Sequence, residues 1–570
     1  MQLNPEQIQA INFQEGAVNV LSTAGAGKTT VICERVRRLF REGATPDDLL
    51  VLTFTKEAAE NLEVRLKLKI PKDQRGGFRT FHSFCLNLVR REARYLPYGL
   101  SSEPFPDGPV LSKLLLTAMK ENGIRRKQFE EVRAYISKKK RERIPPNTIL
   151  DNDNVYDDPM FFRAYQKYEQ SLRDGGMLDF DAMIVEAVNI LENYSGVRDR
   201  WQFRWLMADE GQDTDSLQFK LLQLISETHK NIMVVGDFNQ CIYSFRGSNP
   251  ENLVQFENWF PGAQTILLPE NYRSTETIVA YGKKHAPLKN ELSETMRTQN
   301  PLGVPIEYRM YPGPSEEAEA TLSEAIKDPA GSAVLARTNN QIGVYESLAL
   351  QHNIKFNLLG QSGLWNKSEV NLLVNFAAFC SQDRQPTKSS EEQLLSHRRR
   401  IRNLPATEAL QEIMGVLNLE SWYANDDYAN DENFAISNLR TVVDISKRFR
   451  TLNEFLNHAR RAAHVRKHKK AVTFGTIHAA KGLEFDHVFV IGVQERKLPH
   501  ERGDFEEEKR LFYVSISRPA KRLRISFAGT PSPFIVDELT PEIRQQLHKN
   551  AQTVEKIQKQ QELFPSLTST

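Results

Sequence analysis

"AVNVLSTAGAGKTTVICERVRRLF", residues 17–40, is the stretch on which the fold turns. Its first five residues are an apolar run that stops at small residues, and from Lys28 onward apolar residues return at helical spacing. A buried strand, a tight loop and a helix are expected in that order. Gly25 and Gly27 let backbone N–H groups turn toward a phosphate, because neither carries a Cβ. The helix N-terminus adds partial positive charge. Lys28 can reach the outer phosphates of a nucleoside triphosphate, and Thr29 can ligate Mg²⁺. The phosphate segment is read as Ser22, Thr23, Ala24, Gly25, Ala26, Gly27, Lys28, Thr29 and Thr30, with Ser22 where the strict pattern has Gly.

Other runs end in the same way. "LLVLTF" (49–54), "RWLMAD" (204–209) and "NIMVVGD" (231–237) are apolar and close on polar or small residues, and helical segments lie between them. That alternation predicts an α/β class with parallel sheets covered on both faces. "MADEGQD" (207–213) then places Asp209 at the carboxyl end of such a strand, where ligand crevices form. Asp209 is expected to hold Mg²⁺ through water and Glu210 to orient or deprotonate the attacking water. Both carboxylates can stay ionised beside a cation. The combination is a hydrolytic nucleotide site.

At 570 residues the chain exceeds one hydrophobic core and suggests roughly three to five domains. The near-balanced charge of +2 leaves any polyanion to be met by local patches. Four scattered cysteines without a CxxC pair argue against a structural zinc site or a disulfide framework. No apolar run approaches the roughly 18 residues of a membrane span, and the N-terminus lacks a signal-peptide pattern. A cytoplasmic or nucleoid-associated protein is expected. Residues 89–180 read as successive helices carrying the basic run "SKKKRER" (137–143). A second α/β region starts near residue 276, with strands "SAVLAR" (332–337) and "HVFVIG" (487–492) around a helical, polar stretch.

With these motifs the chain resembles the UvrD/Rep-like (superfamily 1) DNA helicases. The resemblance runs through "LNPEQIQAI" (3–11), "LTFTKEAAENLEVR" (52–65), "TFHSF" (80–84) and "DEGQDTDSLQ" (209–218). It continues through "VVGDFNQCIYSFRGS" (234–248), "ENYRST" (270–275), "TIHAAKGLEFDHVFVIG" (476–492) and "EEEKRLFYVSISRPAKRL" (506–523), in the family's order. It implies two RecA-like parallel-sheet P-loop domains, each with a helical insertion. The first core takes 1–88 and 181–275 around an insert at 89–180. The second takes 276–372 and 471–545 around an insert at 373–470, and 546–570 form a flexible tail.

The resemblance also implies roles. ATP and Mg²⁺ are the cofactors, and single-stranded DNA and single/double-strand junctions the substrates. Gln7 reads the adenine, Tyr272 covers it and Glu484 contacts ribose. Gln240 touches the γ-phosphate region while Phe245, five residues on, stacks on a base in a sequence-blind way. Arg273 and Arg518 approach the phosphates from opposite sides of the cleft as arginine fingers. Phe54, Thr55, His82, Arg246, Arg337 and His478 line the strand path. Taken singly, Tyr272, Phe245, His82 and His478 would as readily fill a core, and motif membership assigns them. The expected motor moves 3′ to 5′ as a monomer or weak oligomer. The alternative is a translocase that strips protein from DNA with little unwinding.

The chain departs in places from the pattern of the family it resembles. Gly211 stands where relatives often have a bulkier residue, Phe245 where many have Trp, and Ser517 and Pro519 where Thr and Ala are usual. Pro519, lacking an N–H, is expected to shift the start of a helix carrying Arg518. The second insert is short and is read as reduced. Beside it, "HRRRIR" (397–402) and "ARRAAHVRKHKK" (459–470) are either solvated helix faces or duplex-phosphate contacts. "QQELF" (560–564) places Gln560, Leu563 and Phe564 at the spacing of a sliding-clamp peptide, with packing back onto the second core as the alternative.

Overall fold

The structure is a computed structural model that describes residues 3–547 except 69, 71–73, 107, 149–157, 244–246, 361–363, 383–384, 387–388, 422–431, 463–467 and 469. Phe245, Arg246 and the peptide bearing Gln560, Leu563 and Phe564 lie outside the described residues. The chain divides into two compact units. One holds Met1–Tyr272, Leu288–Arg297 and Asn418–Ser437, and the other holds Arg273–Pro287, Thr298–Leu417 and Asn438–Thr570.

The first unit is built on six parallel strands: β1 (Ala17–Ser22), β2 (Leu49–Thr53), β3 (Gly77–Thr80), β4 (Trp205–Ala208), β5 (Ile232–Gly236) and β6 (Gln264–Leu268). Their order is β3-β2-β4-β5-β1-β6. Period-two alternation divides the apolar residues between two cores. Val18, Val20, Leu49, Val51, Met233 and Val235 pack with helices Lys28–Arg41 and Lys56–Leu66. Leu50, Leu52, Leu206, Ala208 and Val234 pack with helices Phe81–Arg91, Phe180–Asn193 and Ser216–Ile225. This double burial explains why the strands are near-continuous hydrophobic runs. The order places β4, β5 and β1 side by side, so the carboxyl ends of these three strands meet at one edge.

Between Arg91 and Phe180 the chain is mainly helical, with helices Gly108–Glu121, Phe129–Arg141 and Pro159–Asp174 around their own core of Leu115, Met119, Val132, Phe162 and Tyr165. The basic run does not simply face solvent. Lys140 is 3% exposed, its Nζ 2.6 Å from Asp179 Oδ2 and also paired with Glu169. Asp179 in turn caps helix Phe180–Asn193 by accepting the Ala182 N–H at 2.9 Å.

The second unit has six parallel strands of its own: β7 (Glu307–Met310), β8 (Ser332–Ala336), β9 (Phe356–Leu358), β10 (Val472–Thr476), β11 (Phe485–Val490) and β12 (Pro519–Phe527). The order is β7-β12-β11-β8-β10-β9. Between β9 and β10 lie helices Ser368–Ser381, Ala406–Val416, Glu432–Ser446 and Leu452–Ala462, among others, beginning at Ser368. Among the described residues no helix is long and apolar enough to cross a membrane.

Pro519 corrects one expectation. Helix Phe505–Ile516 ends before Arg518, and β12 begins at Pro519. Arg518 therefore sits at a helix-to-strand junction, not at a helix start. A strand's first residue tolerates proline because no ladder N–H is required there.

Candidate nucleotide site and DNA-contact residues

The loop between β1 and helix Lys28–Arg41 carries Gly25 at φ +73° and Gly27 at φ +82°. Gly27 is the N-cap, no side chain caps the helix, and its first N–H groups remain available to an anion. A Cβ on Gly27 would lie 2.8 Å from Gln7 Nε2. Inside the loop, Ala26 N–H donates to Thr23 at 3.3 Å, and Thr23 N–H donates to the Leu268 carbonyl at 3.2 Å. Ser22 Oγ donates to the Gly236 carbonyl at 3.2 Å, fixing the loop's start to β5. Thr29 and Thr30 are half-buried in the first helical turn.

Across the same strand ends, Asp209 and Glu210 follow β4. Lys28 Nζ lies 3.6 Å from Glu210 Oε2. Asp209 is 6% exposed, and its carboxyl is pushed up to about 7 by burial and the Glu210 charge, with Lys28 opposing. Asp237, at the end of β5, is also raised by burial. A carboxylate edge held unfavourably in its charged form is the setting a divalent cation relieves. Among the described residues no three His, Cys, Asp or Glu side chains form a metal cage. Thr29 lies in the first turn of the helix after β1 and Asp209 directly follows β4, and their hydroxyl and carboxylate oxygens are the hard donors that Mg²⁺ accepts beside phosphate and water.

Glu210 has φ +53°, an uncommon conformation for a residue with a side chain. Gln212 steadies it: Nε2 donates to Glu210 Oε2 at 2.5 Å, while Oε1 accepts the Asp237 N–H at 2.9 Å. Gln240 Nε2 donates to Asp237 Oδ2 at 2.5 Å. Lys28, Glu210, Gln212, Asp237 and Gln240 are therefore one connected polar chain. Sequence reading did not single out Gln212 or Asp237, although both lie inside quoted motifs. Gly211 has no room for more: a Cβ would lie 2.4 Å from Val234 Cγ1 and 2.9 Å from Leu253 Cδ2.

At the other end of the loop, Gln7 is 1% exposed and already engaged. Its Nε2 donates to the Ala26 carbonyl at 3.0 Å, and its Oε1 accepts the Asn4 N–H at 3.2 Å. Asn271 Nδ2 donates to the Ala24 carbonyl at 2.8 Å, and Tyr272 N–H to the Gly25 carbonyl at 3.0 Å. Gln7 and Tyr272 thus both join the phosphate loop.

Arg273, Glu484 and Arg518 belong to the second unit. Arg273 Nε donates to Glu484 Oε2 at 2.8 Å and Nη1 to the Ser517 carbonyl at 3.0 Å. Arg518 is 1% exposed and donates to the carbonyls of Val514 at 3.0 Å and Leu483 at 3.2 Å, and to Ser517 Oγ at 2.8 Å. Both arginines thus hydrogen-bond Ser517, Arg273 at its carbonyl and Arg518 at its Oγ.

The strand-contact candidates are also placed. Phe54 stacks on Tyr243, with centroids 5.2 Å apart and planes 19° apart. His82 meets the edge of Phe180 at 5.4 Å, and Phe180 is 64% exposed. Neither Tyr243 nor Phe180 was picked out from sequence, although Tyr243 lies within a quoted motif. Thr55 Oγ1 caps helix Lys56–Leu66, accepting the Ala58 N–H at 3.2 Å. Arg337 makes a two-pronged pair with buried Glu508, at 2.9 Å from Nε and 2.8 Å from Nη2 to Oε1. His478 lies half-buried in the turn after β10.

Residues 3–261 match the UvrD/REP helicase N-terminal domain, and residues 266–441 and 425–530 match the UvrD-like helicase C-terminal domain. The chain belongs to the UvrD/REP family of ATP-dependent DNA helicases. Its curated relatives include the ATP-dependent DNA helicase PcrA of Staphylococcus epidermidis, 26% identical over 93% of this chain and 84% of that protein. PcrA of Bacillus subtilis is 26% identical over 95% of this chain and 85% of its own length. PcrA of Staphylococcus aureus is 27% identical over 96% and 87%. The two parallel six-stranded sheets are the α/β, RecA-like pair that this family implies.

Proposed function

We propose that this helicase moves 3′ to 5′ on single-stranded DNA and separates duplex at single/double-strand junctions, in replication, repair or recombination. The observation that carries the reading is the approach of Lys28 to Glu210 across the ends of β1 and β4, which flank β5, beside an uncapped helix N-terminus. Lys28 and the loop amides bind the triphosphate, Gln7 and Tyr272 hold the base, and Glu484 the ribose. Thr29 and Asp209 hold Mg²⁺, which would offset charge on the transferring phosphoryl group. Glu210, steadied by Gln212, orients water and accepts its proton. Gln240 senses the γ-phosphate, and Arg273 and Arg518 offset transition-state charge. Arg518 must exchange its carbonyl partners to do so.

Phe54, Thr55, His82, Phe245, Arg246, Arg337 and His478 contact the strand. Stacked aromatic pairs such as Phe54–Tyr243 give a π surface that accepts any base. The protein works as a monomer or weak oligomer in the cytoplasm or at the nucleoid, with Gln560, Leu563 and Phe564 as a clamp-binding peptide. Strand displacement from duplexes with a 3′ or a 5′ tail tests the reading. Opening of the 3′-tailed duplex supports it. ATP turnover with displacement of a bound protein but no opening favours the stripping translocase.

A further inference from the structure

The turn Phe238–Gln240 follows β5 and carries the residue read above as the γ-phosphate sensor. Its middle residue, Asn239, is 5% exposed and reaches elsewhere. Asn239 Oδ1 accepts the Leu288 N–H at 2.7 Å, and Nδ2 donates to the Leu288 carbonyl at 3.4 Å. Leu288 opens a segment, Leu288–Arg297, that packs as part of the first unit although the chain on either side belongs to the second. The far end of the segment is fixed too. Arg297 pairs with Glu6 and Glu270 at 2.8 Å each, and its carbonyl accepts the Asn271 N–H at 2.8 Å.

Upstream, helix Glu276–Lys284 is anchored within the second unit. His285 Nε2 lies 2.6 Å from Glu538 Oε1, and Lys284 Nζ lies 2.7 Å from the same oxygen. Only Ala286 and Pro287 separate these anchors from Leu288. That connection spans at most about 11 Å between the outer Cα atoms. It is also stiff, because Pro287 fixes its own φ and restricts Ala286.

We propose that His285–Leu288 is a tether that pulls on the sensor turn through Asn239. Asn239 is then a positioning residue that couples ATP turnover to movement of the second unit. Tension arriving at Leu288 reaches Asn239 through two hydrogen bonds. It is then shared with Gln240, since Asp237 accepts both the Asn239 N–H at 3.0 Å and Gln240 Nε2 at 2.5 Å. The proposal rests on the reading of Gln240 as the phosphate sensor.

The test is the ATP hydrolysed per base pair opened by the full chain. Asn239→Ala cuts the clasp, Asn239→Asp keeps the acceptor for Leu288 N–H, and two glycines inserted between Pro287 and Leu288 add slack while sparing both anchors. Asn239→Ala and the insertion should each raise ATP use per base pair at least about twofold, and Asn239→Asp should restore the parental ratio. A merely structural asparagine would lower thermal stability without changing the ratio. Should Asn239→Ala fail to fold, the insertion decides alone. An insertion variant with the parental ratio overturns the tether, as does Asn239→Asp behaving like Asn239→Ala. Gln240→Ala, measured alongside, separates the two claims: parental ATP hydrolysis there overturns the sensor reading itself.

Discussion

Gln212 places its two amide atoms on two functional strand ends at once, holding Glu210 Oε2 at 2.5 Å and the Asp237 N–H at 2.9 Å. Glu210 is thereby fixed before water arrives, in the positive-φ conformation that an unsupported glutamate would leave. Glu210→Gln should keep nucleotide affinity, since Lys28, the loop amides and Asp209 remain, but should lose at least about 10²-fold in hydrolysis. Single-turnover kinetics with labelled ATP checks this; rapid turnover would reassign the base.

Gly211 is bounded by Val234 and Leu253, with room for no Cβ. Gly211→Ala should cost about 1–3 kcal/mol through overpacking. It should also depress ATP hydrolysis, because Glu210 and Gln212 flank the strain. Chemical denaturation and phosphate release measured together test this; an unchanged midpoint would show that Leu253 yields freely.

Arg337 has a structural duty beside its proposed strand contact. Glu508 is 2% exposed, and Arg337→Ala would leave it without its guanidinium. A loss of order 3 kcal/mol is expected. Arg337→Ala combined with Glu508→Gln should recover much of the stability while DNA binding stays weak. Recovery of both would remove Arg337 from the strand path.

Glu346 offers a pH test away from the nucleotide site. It is 1% exposed, its Oε1 has no hydrogen-bond partner among the described residues, and burial raises its carboxyl to about 7 against a bond from Leu364 N–H. The folded state therefore keeps a proton that the unfolded chain releases above its ordinary value of 4.5. Stability from this group falls as pH rises from about 4.5 to 7, then levels off. Glu346→Gln should remove that fall and gain of order 1–3 kcal/mol at pH 8 but little at pH 4.5. Denaturation midpoints that differ equally at both pH values would contradict it.

Of the basic run at 397–402, only part is open to phosphates. Arg402 donates to the Ser381 carbonyl at 3.0 Å and Arg398 lies over Phe379. Arg399 and Arg400 are exposed, the latter 3.4 Å from Glu412 at the surface. Arg399→Ala with Arg400→Ala should flatten the salt slope of tailed-duplex binding by about one unit for each phosphate no longer neutralised, and single-strand binding should change less. Equal losses on both substrates would leave solvated faces as the reading.

The strands carrying the site were legible because burial on both faces makes them apolar throughout, as in "AVNVL" and "NIMVVGD". β7 and β12 were not. In "EYRM" and "KRLRISF" charge interrupts the run, and the charges prove to be partners: Arg524 Nη2 lies 2.8 Å from Glu307 Oε2, and Arg522 pairs with Glu307 Oε1. Cross-strand ion pairs of this kind appear only once register is known. The same limit applied to the site. Lys28, Asp209 and Glu210 follow from local pattern, whereas the link through Gln212 depends on β4 and β5 lying side by side. The convergence of Arg273 and Arg518 on Ser517 likewise required knowing where the last helix stops.

Phosphate release by the parent and by Lys28→Ala, each with and without single-stranded DNA, tests the central claim most directly. The account predicts DNA-stimulated hydrolysis by the parent, and loss of both basal and stimulated rates in Lys28→Ala while salt-sensitive DNA binding persists. Near-parental hydrolysis by Lys28→Ala would contradict it.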